Sequence, residues 1–171
     1  MEHLDLSDPI WTTLNGAYGV TYDASKPLKR LEAAKEGADL TLIWEELWVE
    51  LHHKGAVGLV SFLAVPQLIR IAQEKNIADW NIPALCSTIE QQRVLGDENP
   101  RLPSDYNDAY FNALDEMKAM SLKVADNEDA SDLSKTIAMC AIATANGQFQ
   151  LGKAIMQFAD EDLLKEFLIQ F

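Results

Sequence analysis

The chain has 171 residues, of which 48% are hydrophobic and 24% charged, and its formal net charge is −13. This size and composition predict one ordinary globular domain spanning residues 1–171. An acidic surface repels phosphate backbones, so the charge argues against nucleic-acid binding. The two cysteines, Cys86 and Cys140, lie far apart in apolar runs. That placement excludes a disulfide framework and a cysteine-built zinc site, and it favours a reducing compartment.

The start of the chain lacks the pattern of a secretory signal, because no basic stretch precedes an apolar run there. No uninterrupted apolar stretch reaches the roughly 20 residues that a membrane span needs. We therefore expect a cytoplasmic protein without a membrane segment.

The first predicted element is a short helix that opens at residues 7–9, where a capping residue precedes proline. It stops at residues 15–16, Asn-Gly. Residues 17–23 have no partner strand and follow one glycine and contain another, so they predict an ordered loop. Ser25 is then expected to cap a helix that begins near Pro27 and ends at Gly37.

Residues 39–51 predict a clear amphipathic helix. Asp39 opens it, and polar or basic residues followed by Gly55 end it. Core packing is the expected role of the apolar stripe, which recurs at helical spacing. The stripe consists of Leu40, Ile43, Trp44, Leu47, Trp48 and Leu51.

Residues 57–75 form a long apolar run with Pro66 inside it. Proline removes a backbone donor and clashes with the preceding turn, so we expect a kink or short break between two helices here. Another helix is predicted at residues 82–94 with Pro83 in its first turn, and residues 96–103 follow as a loop.

A long helix is predicted from Ser104 to about Val124. Residues 126–130 form a polar turn, and residues 133–158 are helical in composition with an interruption at residues 146–147, Asn-Gly. The candidate buried positions of the long helix are Tyr106, Tyr110, Phe111, Leu114, Met117 and Leu122.

Asp160 is predicted to cap a last helix. Together these elements amount to nine or ten helices with short connections, which make sequential helices antiparallel neighbours. The apolar positions of the last helix are Leu163, Leu164, Phe167, Leu168 and Phe171.

One stretch resembles a known repeat family. Small and apolar residues from Val57 lead to Ala64-Val65-Pro66, after which residues 68–71 read Leu-Ile-Arg-Ile. This resembles the joint of HEAT-type repeats, in which an alanine-rich helix leads to a proline that opens the next repeat. The resemblance is specific over about residues 39–76. It implies an all-α fold of antiparallel helix pairs, stacked as a short HEAT-like α-α superhelix; an irregular helical bundle remains the alternative.

A second similarity covers the N-terminal part, so that the two together involve mainly residues 9–76. Pro9-Ile10-Trp11 and the stretch at residues 22–31, Tyr-Asp-Ala-Ser-Lys-Pro-Leu-Lys-Arg-Leu, look similar to uncharacterised bacterial helical proteins. This similarity implies a helical fold and brings no activity with it.

The negative charge is concentrated in one segment. Residues 97–132 carry ten acidic and three basic residues, a net of −7 and about half of the total. Part of this charge has a structural explanation, because acids favour helix starts. As a surface, it predicts contact with a basic protein. The residues that we expect at this contact are Asp97, Glu98, Asp105, Asp108, Asp126, Glu128 and Asp129.

Aromatic side chains add candidate contact sites. Tyr18 and Tyr22 lie in the glycine-containing loop, and loops on a rigid scaffold often carry function. Trp11 and Trp80 stand at the ends of predicted elements, where partial exposure would let an indole anchor a partner.

The strongest chemical pattern is on the 39–54 helix, where Glu46, Glu50, His52 and His53 lie close together. Glu50 to His53 is a Glu-x-x-His pair, as in di-iron bundles. The second such pair is absent, because the third histidine, His3, lies outside any such motif. A mononuclear metal site remains the alternative to an exposed polar helix face.

No catalytic motif of the hydrolase, zinc-protease or nucleotide-binding type is present. We therefore predict a non-enzymatic protein-interaction module that binds a basic partner through its acidic surface, and an immunity-type protein is one version of it. No cofactor is expected. A metal-dependent enzyme is the alternative, and the sequence leaves homo-oligomer formation open.

Overall fold

The computed structural model describes residues 3–35, 37–75 and 79–169. Within these ranges the chain is helical, and its extended pairing is limited to two isolated bridges, Asn15 with Thr21 and His53 with Ala56. This confirms the all-α prediction. The α-helices are α1 Ser25–Ala33, α2 Thr41–Leu51, α3 Leu59–Lys75, α4 Asn81–Leu95, α5 Asn107–Asp126, α6 Asp132–Ala145, α7 Phe149–Gln157 and α8 Glu161–Ile169. Short 3₁₀ turns occupy Pro9–Thr12 and Ser104–Tyr106.

Aspartates lie at several helix starts, and for three of them the sequence predicts the position. The Asp8 carboxylate accepts a hydrogen bond from the Ile10 backbone N–H at 2.9 Å, and Asp39 accepts one from Thr41 at 2.9 Å. Asp160 likewise caps α8. The start of α1 differs from the prediction, because Asp23 rather than Ser25 supplies the capping oxygen. A carboxylate satisfies free N–H groups of the first turn and faces the positive end of the helix dipole.

α3 runs without interruption through Pro66, so the predicted break is absent. Proline costs the helix one hydrogen bond. The burial around it outweighs that cost, since all residues from Val60 to Ile69 are buried. Tertiary packing has therefore overridden a local helix-breaking signal.

The helices pack in two rows. One row places α3 between α1 and α5, and the other places α4 between α2 and α6. Sequential pairs join the rows, because α1 packs on α2, α3 on α4 and α5 on α6. α7 departs from this pattern and packs against α4 and α6. None of the described helices is long and apolar enough to cross a membrane.

Three aromatic or aliphatic predictions are wrong about burial. Trp11 is fully buried rather than partly exposed, and its indole N–H donates to the Asp5 carbonyl at 2.8 Å. Phe111 and Leu122 of α5 are about half exposed. The buried line of α5 instead follows Tyr110, Leu114, Met117 and Ser121. Because the buried position near the end of this line is a serine, Ser121, the apolar pattern of the sequence points to its neighbour Leu122 instead.

The apolar face of α8 is largely outside the core. Three of the apolar positions that the sequence places on this helix, Leu163, Phe167 and Leu168, are exposed. Among the described residues, α8 shares no extensive contact with another helix. The fifth predicted position, Phe171, lies outside the described residues.

Candidate functional site

The predicted acidic surface is divided between the two ends of α5. All seven acids are exposed. Asp97, Glu98, Asp105 and Asp108 lie around the start of the helix, whereas Asp126, Glu128 and Asp129 lie at its end. At a rise of 1.5 Å per residue, the 18 residues from Asp108 to Asp126 separate the two groups by about 27 Å. The sequence joins these groups into one segment, but the structure makes them two surfaces.

The first group sits on a firmly held loop, which we call the 97–108 end. The Asn99 amide donates to the carbonyls of Gly55 at 3.0 Å and Gln92 at 2.9 Å, and its oxygen accepts from the Val57 N–H at 3.0 Å. The four acids Asp97, Glu98, Asp105 and Asp108 form no ion pair with any described residue. Their charge is therefore available to solvent or to a partner.

Beneath this loop lies a buried charged cluster. The Glu90 carboxylate is 3% exposed and accepts hydrogen bonds from Arg93, at 2.6 and 2.8 Å, and from the Tyr110 hydroxyl at 2.9 Å. Burial first, and the Glu90 charge second, raises the pKa of Tyr110 well above its ordinary range. The Glu90 carboxylate and the Tyr110 hydroxyl are bonded to each other and Arg93 pairs with Glu90, so the cluster links α4 to α5.

The two tyrosines of the loop have different roles. Tyr18 is 47% exposed and its ring stacks on His53 with the centroids 4.2 Å apart. Tyr22 is half-buried, and its hydroxyl donates to Glu46 at 3.0 Å. Burial, followed by the Glu46 charge, raises the pKa of Tyr22. The exposed part of Tyr18 is therefore accessible to a partner, whereas the Tyr22 hydroxyl is used in a hydrogen bond within the fold.

Three residues of the metal alternative, Glu46, His52 and His53, have contacts elsewhere in the fold. Glu46 accepts from Tyr22 and pairs with Arg30. The His52 Nε2 accepts from the Gly55 N–H at 3.3 Å, and burial followed by the neighbouring His53 lowers its pKa. In the part of the chain that the structure describes, no group of three or more His, Cys, Asp or Glu side chains is arranged to hold a metal ion.

Neither cysteine is placed for nucleophilic catalysis. Cys86 and Cys140 are both buried. Burial raises the pKa of both thiols, which disfavours the reactive thiolate. Cys86 packs as a small hydrophobic side chain, in agreement with the apolar run that contains it, whereas the Cys140 sulfur also accepts a hydrogen bond from the Gln91 amide at 3.6 Å.

A groove that the sequence does not reveal lies where α2 and α4 begin. We call it the tryptophan groove. It is an open space of about 890 Å³. Three indoles and three carboxylates line it: Asp39, Trp44, Glu45, Trp48, Asp79 and Trp80. None of the described residues that line the groove is basic.

Hydrogen bonds to the start of α4 fix two of the indoles. The Trp44 Nε1–H donates to Asp79 Oδ2 at 2.7 Å, and the Trp48 Nε1–H donates to Asn81 Oδ1 at 2.8 Å. Asp79 Oδ1 accepts from the Asn81 backbone N–H at 2.9 Å, so the same carboxylate also orders the first turn of the helix. Trp80 is 39% exposed, as its position at an element end predicts.

This arrangement suits a cation. An ammonium or guanidinium group gains from the negative face of an indole ring and from nearby carboxylates. Because the Trp44 and Trp48 rings are already held in place, binding would cost little side-chain ordering.

A second space adjoins the groove, and we call it the apolar cavity. It has a volume of about 270 Å³ and lies among α3, the start of α4, the end of α5 and the start of α6. Trp80 and Asp79 line both the cavity and the groove. The cavity walls include Ile69, Ile82, Met117, Met120, Val124 and Ala138.

The second acidic group lies at the same end of the molecule as these two spaces. Asn127 and Ala130, which flank Glu128 and Asp129, line the cavity together with Trp80. We call this region the tryptophan end. No family model, curated protein or solved structure matches this chain.

Proposed function

We propose that the protein is a non-enzymatic interaction module that binds a basic segment of a partner protein in the tryptophan groove. The observation that carries this proposal is the coincidence of three indoles and three carboxylates in one groove, with no basic residue among its described lining. Positive side chains on the partner would contact both the rings and the acids.

The surrounding charge supports the same partner chemistry. Asp126, Glu128 and Asp129 are exposed at the tryptophan end. Carboxylates around a binding groove accelerate the approach of a basic protein and make the association sensitive to salt. Asp108, at the 97–108 end, lies about 27 Å along α5 from Asp126 at the tryptophan end, and none of the acids of the 97–108 end lines the groove, so they would affect the approach of a partner rather than contacts in the groove.

The scaffold that we propose is a HEAT-like stack of three helix pairs, α1 with α2, α3 with α4 and α5 with α6. The two rows of helices support it, because in such stacks each helix packs on its counterpart in the next pair. In this arrangement the groove lies between the starts of two helices of the same row, α2 and α4. An immunity-type protein that neutralises a basic toxin is one form of this function.

The test is a capture experiment with the purified protein as bait in lysate of its own source. Three baits are compared: the wild-type chain, the groove variant Glu45→Lys/Trp80→Ala and the control variant Asp97→Asn/Glu98→Gln. We expect the wild-type and control baits to retain the same basic protein at low salt, and the groove variant to lose it. For the captured protein, we expect the groove variant to weaken affinity by at least about tenfold, as at interface hot spots.

Two results would count against the proposal. If the control variant loses the partner while the groove variant keeps it, the interface is the 97–108 end. If the captured protein is not basic, or its binding does not weaken as salt rises, charge complementarity is not the basis of recognition.

A further inference from the structure

The apolar cavity next to the groove contains an unusual serine. Ser121 is 2% exposed, lines the cavity and forms no side-chain hydrogen bond with any described residue. The other buried hydroxyl groups of the described residues have partners: Ser25 bonds to Asp23, Ser61 to Leu51, Ser87 to the Met117 sulfur, Tyr110 to Glu90 and Thr144 to Gln91. A buried hydroxyl normally has a partner, so the Ser121 hydroxyl is a polar group available to a ligand.

The size and walls of the cavity favour an apolar molecule. Its volume of about 270 Å³ exceeds the roughly 150 Å³ of an apolar cavity that holds benzene. Two methionines, Met117 and Met120, line it. Methionine is flexible and polarizable, which lets such walls adapt to an aromatic or aliphatic guest.

The charge at the edge of the cavity defines the ligand further. Asp79 is the only ionisable residue among those described around it. Its two oxygens already accept from Trp44 and Asn81. A carboxylate ligand would be repelled by this group and would find no cation to neutralise it.

We propose that the apolar cavity binds a small, uncharged and largely apolar molecule that carries one hydroxyl or carbonyl group, which hydrogen-bonds to Ser121. This site does not depend on the partner binding proposed for the groove.

Naphthol serves as the probe, and naphthoate is the charged counterpart of nearly the same size. Both are titrated into the full-length protein with isotope-labelled methionine methyl groups, observed by NMR. We expect saturable shifts of the Met117 and Met120 methyl signals with naphthol. Met139, which is exposed on α6, and Met156 of α7 do not line the cavity and should stay unchanged. Naphthoate should bind at least about tenfold more weakly.

Variants separate the cavity from general surface binding. Ala138→Leu places a larger side chain in the wall and should abolish the naphthol shifts, whereas Ala119→Leu, at an exposed site of α5, should not change them. If circular dichroism shows that Ala138→Leu does not fold, Ala130→Leu at the less buried edge replaces it. Ser121→Ala should weaken naphthol about fivefold and leave naphthalene affinity unchanged.

Three outcomes would overturn the proposal. They are the absence of saturable shifts at Met117 and Met120, equal shifts at all four methionines, and unchanged naphthol affinity in a folded cavity-filling variant. If Ser121→Ala binds naphthol as tightly as the wild-type protein does, the assigned hydrogen bond is wrong.

Discussion

The two ends of the molecule are both acidic, yet they differ in what accompanies the charge. At the 97–108 end, the exposed carboxylates lie on a loop that Asn99 holds by hydrogen bonds. The Glu90–Arg93–Tyr110 cluster lies next to this loop and is closed by internal hydrogen bonds. At the tryptophan end, the carboxylates share a groove with ordered indoles, and a cavity with an unpartnered hydroxyl lies next to it. The 97–108 end therefore offers charge alone, whereas the tryptophan end combines charge with aromatic rings and free volume, which is why we place the proposed binding there.

The two ends also differ in how their polar and aromatic side chains are used within the fold. Every buried polar group of the Glu90 cluster has a partner in the fold. Asp79 uses both oxygens to order Trp44, which is 6% exposed, and the start of α4, whereas the neighbouring Trp80 side chain is 39% exposed beside the groove. The first end is therefore closed by internal hydrogen bonds, and the second is the end to which we assign the proposed binding.

Removing Glu90 should produce the largest effect on stability. Glu90→Ala leaves the buried Tyr110 hydroxyl and the partly buried Arg93 without their acceptor, and we expect a loss of about 3 kcal/mol in the free energy of unfolding. The exposed Glu98→Ala serves as control and should change it by less than about 0.5 kcal/mol. Urea denaturation of both variants measures the difference. Equal effects would show that the cluster does not hold this end together.

Asn99 should matter more than its counterpart at the other end. Asn99→Ala removes three partly buried hydrogen bonds to Gly55, Val57 and Gln92 and should cost about 2 kcal/mol. Asn127, which accepts one exposed hydrogen bond from Asp129, is the matched control, and Asn127→Ala should cost less than about 1 kcal/mol. Similar decreases in the free energy of unfolding for the two variants would mean that the loops at the two ends are held equally strongly, contrary to the difference described here.

Local signals in the sequence predict most of the helices but not the candidate site. Asp8, Asp39 and Asp160 act on backbone N–H groups two residues away, so their capping role can be read from the sequence itself. The groove depends on distant pairs instead, such as Trp44 with Asp79 and Trp48 with Asn81. Only the fold brings such residues together.

The errors have a related origin. The continuous α3 around Pro66 and the exposed Phe111 both reflect packing against other helices, which no local pattern encodes. The acidic segment at residues 97–132 shows the converse case, in which neighbours in sequence are far apart in the fold. Residues close in sequence were expected to act together, but the length of α5 places them at opposite ends.

Trp44 tests whether the groove depends on its internal hydrogen bond. Trp44→Phe keeps an aromatic ring but removes the donor to Asp79. We expect the free energy of unfolding to fall by about 1.5 kcal/mol, because the acceptor is charged. Trp80→Phe is the control, since the Trp80 indole N–H donates to no described residue and its ring is partly exposed. Thermal unfolding compares the two variants. An equal change would indicate that ring packing, rather than the hydrogen bond, orders the groove.

The smallest expected effect is a difference between the two ends in how stability depends on pH. His52 follows α2, and its imidazole accepts from Gly55, whose carbonyl Asn99 holds at the 97–108 end. Burial lowers the pKa of His52 below its ordinary value of 6.5, so the unfolded chain binds the proton more readily than the folded one. The stability contributed by neutral His52 is therefore present above pH 6.5 and is lost as the pH falls from 6.5 toward the folded pKa.

At the tryptophan end, hydrogen bonds from Thr41 lower the pKa of Asp39 below 3.8, so its contribution is lost only on acidification below that value. His52→Gln keeps an acceptor for the Gly55 N–H without titrating. Urea denaturation at about pH 7.5 and pH 5.5 should show the wild-type protein losing a few tenths of a kcal/mol more than this variant, because solvent screening limits the effect. The Lys54 and Lys153 side chains line the same surface as His52. If the two proteins respond identically to pH, His52 is not the group that makes this end sensitive to mild acid.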